Sequence, residues 1–213
     1  AISVARADDV YFDVSVRGTG SATIHAAVYK NPANRGVTTV LAVHGLTETA
    51  TTFKPLADAI YADSILNRAV KQIVSISMVG HGQSSTPTGL PANTRFSDLL
   101  IEDNASVLLQ SIDKLKGLNL GAQVIMGHSM GGLAIQHAQE ILLASNSSLK
   151  NKGIVGAILI AAVPARSSVW TQPPPANLTP FIVNDPVLGP YLDLPAAVVA
   201  QAPCRGTMQG ERG

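Results

Sequence analysis

Gln123-Val124-Ile125-Met126-Gly127-His128-Ser129-Met130-Gly131-Gly132-Leu133 is the stretch on which the reading of this chain turns. Its opening run, Gln123–Gly127, is apolar, short and closed by glycine, the pattern of a buried strand. From Leu133 to Ser145 the apolar residues take helical spacing. Between the two stands Ser129, with Gly127 and Gly131 two residues to either side, the G-x-S-x-G arrangement. A strand that passes into a helix through so tight a turn forces its central residue into a strained backbone conformation. Side chains at the flanking positions would collide with the neighbouring strand and helix, which explains the glycines. The strain lifts the serine Oγ above the sheet edge, beside helix N–H groups and a dipole that favour negative charge. The plainer reading is a structural serine in a tight turn; the strand–turn–helix context favours a nucleophile.

Working outward, Val37–Val43 is a continuous β-branched and apolar run, as expected of a strand buried on both faces, and Gln72–Val79 reads as a second buried run. The first ends in His44-Gly45 and the second in Gly80-His81-Gly82-Gln83-Ser84-Ser85. Ahead of them, Val10–Val16 and Thr23–Tyr29 flank Gly18-Thr19-Gly20 and read as a β-hairpin. Helical spacing fills Thr51–Asn67 and Phe96–Leu115, the latter with acids in its first turns. Ile154–Ala162 is a further buried strand. Strands alternating with helices in this way predict an α/β fold with a doubly wound, mostly parallel sheet.

After Val163 the character changes. Nine of the thirteen prolines lie from Pro164 onward, and Asp185 and Asp193 are the only charges between Arg166 and Arg205. Proline at that density prevents long helices and regular strands. Trp170, Phe181 and Tyr191 nevertheless make the segment too apolar for a solvated linker. It reads as a cap over a binding cleft, or as a proline-rich connection packed on the core. The expected division is residues 1–163 as the N-terminal part of the core and 164–213 as cap and chain end.

Composition narrows the function classes. Fifteen Lys and Arg face fourteen Asp and Glu, and a net charge of +1 offers no long-range field for nucleic acid or an anionic membrane. Charged residues make up 14% and apolar residues 46%, which excludes disorder for most of the chain. No apolar run is long enough to span a bilayer. Cys204 is the single cysteine, so neither an intrachain disulfide nor a cysteine-built metal cluster can form; it is a buried thiol or half of a bridge to another chain. The first ten residues, AISVARADDV, carry neither an apolar signal core nor an initiator Met, the look of a mature or trimmed form. With few charges and many small residues, this suits a secreted or periplasmic protein.

Three local motifs together resemble the α/β-hydrolase fold family over about residues 10–165: Val43-His44-Gly45-Leu46, Gly80-His81-Gly82-Gln83-Ser84 and Gly127-His128-Ser129-Met130-Gly131-Gly132. The resemblance implies a serine esterase- or lipase-like enzyme with Ser129 as nucleophile. It implies an oxyanion hole made by the backbone N–H groups of Leu46 and Met130. His44, Gly45, His128, Gly127 and Gly131 become supporting loop residues, with His81 structural in its own loop. The chain departs from the family at Ser77-Met78-Val79, where relatives usually carry Asp and Arg, a change expected to alter loop packing. The implied substrate is a small apolar ester held against Trp170, Phe181 and Tyr191. No cofactor or metal is implied.

The base is missing from this reading. The family's order is Ser, then Asp or Glu, then His. After Ser129 the only histidine is His137, eight residues down the same helix and so about 12 Å away along its axis. Glu140, Asp185, Asp193 and Glu211 are the later acids. The expectation is therefore that a C-terminal segment or second chain carries the Asp and His. The contrasting expectation is a catalytically incomplete binding module.

Overall fold

The computed structural model describes residues 7–18, 20–89 and 99–162. Leu99 apart, these belong to a unit formed by Ala1–Ala92 and Leu100–Ala165. Among the described residues, six strands make one sheet in the spatial order β1-β2-β4-β3-β5-β6. β1 (Ala7–Val16) and β2 (Gly20–Lys30) form the opening hairpin, in register from Ala7 opposite Tyr29 to Val16 opposite Gly20. β1 alternates: Phe12, Val14 and Val16 are buried while Tyr11, Asp13 and Ser15 are exposed, so one face meets water. β2 joins β4 (Val70–Ile76) antiparallel. β3 (Thr38–Val43), β4, β5 (Val124–His128) and β6 (Gly156–Ile160) run parallel to one another.

Helices cover both faces. Ala50, Phe53, Ala57 and Tyr61 pack on Ala27, Tyr29, Val40, Ala42, Ile73 and Met126. The alternate strand residues Val28, Leu41, Val43, Val74 and Ile125 are buried too, which requires cover on the opposite face. That cover includes α4 (Met130–Ala144), packed against α3 (Ile101–Gly117): a Cβ on Gly127 would meet Ile135 of α4. The parallel arrangement with helices on two faces is the α/β architecture the sequence predicts.

Three boundaries differ from expectation. The expected helix over Thr51–Asn67 is broken into a 3-10 turn (Ala50–Phe53), α1 (Lys54–Ala62) and a single turn, α2 (Leu66–Ala69). Pro55 enforces the first break, since proline fits only the first turn of a helix. At the second, Asp63 is extended and its carboxylate accepts from the Ile65 and Leu66 N–H groups. The long helix begins at Ile101, with Leu99 and Leu100 ahead of it, because Leu100 N–H donates to Asp103 and so closes the helix start; residues 90–98 lie outside the described residues. The strand over Ile154–Ala162 shortens to Gly156–Ile160. It is not buried on both faces: Ile158, Leu159 and Ile160 are 49, 46 and 40% exposed on the last strand in the sheet order.

Sheet order positions the site. The chain goes from β3 outward to β4, then returns to place β5 on the other side of β3. In parallel sheets the crevice at such a reversal, beyond the carboxyl ends of the strands, is where ligands bind. Val43 stands opposite Gly127, so the residues that follow β3 and β5 emerge side by side.

Candidate active site

Ser129 has φ 50° and ψ −115°, between the last residue of β5 and the first of α4. That is neither strand nor helix, and it lies on the side of conformational space open mainly to glycine. Ser129 N–H donates to Ile160 O at 2.9 Å, while its C=O accepts from Gly132 and Leu133 at 3.0 and 3.2 Å. The turn is thus tied at once to β6 and to α4. Met130 is the first helical residue, so its N–H precedes the first intrahelical bond and is among the orphan donors of the helix start.

The glycines are there for space. A Cβ on Gly127 would come within 2.6 Å of Gly132 N, and one on Gly131 within 2.2 Å of Val43 O. A Cβ on Gly132 would press to 2.3 Å from that of Ala162. The elbow helix therefore sits directly on the end of β3, with no room for one methyl group.

The loop after β3 closes on the same point. A Cβ on Gly45 would lie 3.1 Å from Ser129 Cβ. His44 is fully buried; its Nδ1–H donates to Gly45 O at 2.6 Å and its Nε2 accepts from Met78 N–H at 2.9 Å. Those two bonds require the neutral Nδ1–H tautomer. Burial, aided by nearby His81, pulls its pKa down to about 4, although its bond to Gly45 opposes the shift. His44 thus holds the loop at neutral pH as an uncharged cross-link. His81 is buried beside it, ring centres 4.8 Å apart, and donates from Nδ1 to Val79 O. Burial lowers its pKa too.

The departure at Ser77-Met78-Val79 also enters the packing. Ser77 Oγ accepts from Ala50 N–H, Ser77 O accepts from Ser84 Oγ, and Met78 supplies the N–H that His44 accepts. The segment links the loops after β3 and β4.

Glu48, which no sequence motif marks, also belongs to the site. Its Oε2 accepts from Gly45 N–H at 2.7 Å and lies 3.0 Å from His128 Nδ1. The one hint was an acid three residues after Gly45 in a loop otherwise free of charge. His128 faces this carboxylate because strand side chains alternate: Met126, two residues earlier, packs in the cluster that includes Ala50.

None of the five histidines takes the place of a base in the described geometry. His25 pairs with Asp9 through Nε2 at 2.7 Å, and His137 with Glu140 at 3.3 Å within α4. His44, His81 and His128 have the partners given above. Trp170, Phe181, Tyr191, Cys204, Asp185, Asp193 and Glu211 lie outside the described residues.

A serine on a strained strand-to-helix turn at the carboxyl end of a parallel strand, over glycines that admit no side chain, is the geometry of a G-x-S-x-G turn in an α/β sheet. The chain belongs to the alpha/beta hydrolase family, whose sequence pattern matches residues 40–209. Solved structures of similar fold include a probable hydrolytic enzyme of Pseudomonas aeruginosa (TM-score 0.52, 17% identity, 91% of this chain and 64% of that one). A thermostable carboxylesterase from a metagenomic library is similar at TM-score 0.50 and 19% identity, over 93% of this chain and 58% of that one. A peroxisomal α/β-hydrolase of Saccharomyces cerevisiae is similar at TM-score 0.53 and 20% identity, over 84 and 52% respectively. The chain thus spans about half to two thirds of the length of these proteins. No curated protein matches it in sequence.

Proposed function

We propose that the protein is a serine hydrolase that cleaves a carboxylic ester through an acyl-enzyme, with Ser129 as nucleophile. The observation that carries this is the backbone of Ser129, held at φ 50° and ψ −115° at the start of α4. Strain of about 1–3 kcal/mol persists only where surrounding structure enforces it, and such strain clusters at active sites. Ser129 Oγ loses its proton to a base and bonds to the ester carbon. The resulting oxyanion is held by the N–H groups of Leu46 and Met130. It collapses with departure of the alcohol, which takes up the proton; water then releases the acid by the same steps.

The reading assigns the base and its orienting acid to a histidine and an aspartate supplied by further chain or a second chain. The partnered state of all five histidines supports that assignment. The same observation favours a second reading, a family member that binds ligand without turning it over. The apolar character of Trp170, Phe181 and Tyr191 supports an apolar acyl or alcohol group as substrate.

Hydrolysis of p-nitrophenyl esters of increasing chain length by the full-length protein is the test. The hydrolase reading expects a burst of p-nitrophenol equal to the enzyme present, abolished by Ser129→Ala. Binding of the esters without any release would establish the second reading.

A further inference from the structure

We infer that Glu48 is a positioning residue that clamps the loop after β3 to the nucleophile strand, through Gly45 N–H on one side and His128 Nδ1 on the other. The inference rests on the hydrolase reading for its catalytic consequence, though not for the clamp itself. Three groups converge on one point. A Cβ on Gly45 would stand 3.1 Å from Glu48 Oε2, 3.1 Å from Ser129 Cβ and 3.2 Å from His128 Nδ1. Glu48 Oε2 is within hydrogen-bond distance of both Gly45 N and His128 Nδ1, residues separated by more than eighty positions in the chain.

The loop needs such a tether. Gly45 to Glu48 is a turn closed by a Glu48 N–H to Gly45 O bond of 3.3 Å, at the long end of the useful range. Within it Thr47 has φ 68°, an unfavourable conformation for a β-branched residue. A turn with a long closing bond and a strained residue relaxes unless something outside it holds it. Leu46, whose N–H is the proposed oxyanion donor, sits in the middle of that turn. The other proposed donor, Met130 N–H, is fixed by α4. Glu48 therefore sets the separation of the two donors, since His128 adjoins Ser129 and Gly45 adjoins Leu46.

The clamp also fixes a tautomer. A carboxylate can only accept, so the neutral His128 ring keeps its proton on Nδ1 and leaves Nε2 as acceptor. Glu48 touches neither of the reacting atoms in this account; it acts through its two neighbours.

The test uses the full-length protein and the variants Glu48→Ala, Glu48→Gln and Glu48→Asp, with two readouts. Removal of one oxyanion donor costs about 100- to 1000-fold in kcat, and displacement of one should cost less, about 10- to 100-fold. Glu48→Ala is expected to lower kcat by that factor with KM within about twofold. Glu48→Gln, whose carbonyl oxygen can accept both bonds, should recover most of it; Glu48→Asp, one methylene short, should not. Nitrogen-15 NMR of the His128 ring is expected to show the Nδ1–H tautomer in the wild type and Glu48→Gln, and its loss in Glu48→Ala. Unchanged kcat in Glu48→Ala, or equal loss in Ala and Gln variants, overturns the positioning role. A His128 tautomer indifferent to residue 48 overturns the clamp. A wild type with no esterase activity sinks the hydrolase reading instead, and the tautomer measurement then judges the clamp by itself. If Glu48→Ala does not fold, the Gln and Asp variants carry both comparisons.

Discussion

If the Ser129 backbone is strained, replacing the residue with glycine should stabilise the fold while it destroys the site. Ser129→Ala removes Oγ but leaves a Cβ at φ 50° and ψ −115°, so it keeps the strain. Ser129→Gly removes both. Residues in such regions cost about 1–3 kcal/mol, and glycine costs about 0.5–1 kcal/mol through the greater freedom of the unfolded chain. Taking about 2 kcal/mol of strain and about 1 kcal/mol of entropy, the glycine variant should exceed the alanine variant by about 1 kcal/mol. In a protein of this size that raises Tm by about 2–4 °C. Urea unfolding of the two variants, compared at equal m, reads the difference directly as a shift of midpoint. The wild type should fall near the alanine variant. A glycine variant less stable than alanine by about 0.5–1 kcal/mol would show the entropy term alone, and the strain argument for Ser129 would fail.

Gly131→Ala should be far worse than its one added methyl suggests, because the Cβ would lie 2.2 Å from Val43 O and 2.7 Å from His44 O. A loss of about 2–4 kcal/mol in thermal unfolding and of most of the proposed esterase activity is expected, whereas Gly117→Ala, with nothing within 4 Å, should gain up to about 1 kcal/mol. His44 gives a pH dependence. Its folded pKa of about 4 lies below the unfolded 6.5, so the unfolded chain takes up the proton first. Stability is full above pH 6.5, falls between 6.5 and 4, and levels off below; 2.5 units correspond to about 3 kcal/mol. Urea midpoints across that range should show the slope, and His44→Gln should reduce it. Asn31→Ala should cost about 2–3 kcal/mol and leave the proposed esterase activity in place, because the buried Asn31 side chain donates to Arg35 O, Asn67 O and Val70 O and accepts from Ala33 N–H.

The strained turn at Ser129 could be read from the chain because all its causes are local. A strand residue, a serine and glycines two residues to either side occupy one short window, and the space they require is against their immediate neighbours. The parallel core was legible for a similar reason: residues 40–43 and, Ser75 apart, 73–76 are apolar on both faces and need cover on each. The break at Pro55 and the helix start at Ile101 were not read, although both have local causes. Helical spacing of apolar residues simply continues across them and hides the punctuation. Glu48 lay beyond local reading. Its meeting with His128 depends on β3 and β5 becoming neighbours, and that depends on the chain reversing its direction of travel across the sheet after β4. The exposure of Ile158, Leu159 and Ile160 is of the same kind, since a strand's sequence does not say what will lie against it.

The most direct measurement of the central claim is covalent capture. The full-length protein is treated with a fluorophosphonate, and the adduct is located by mass spectrometry of its peptides. One phosphonyl group is expected, on Ser129, with none in Ser129→Ala. A protein that stays unmodified, or one labelled equally well after Ser129→Ala, would contradict it.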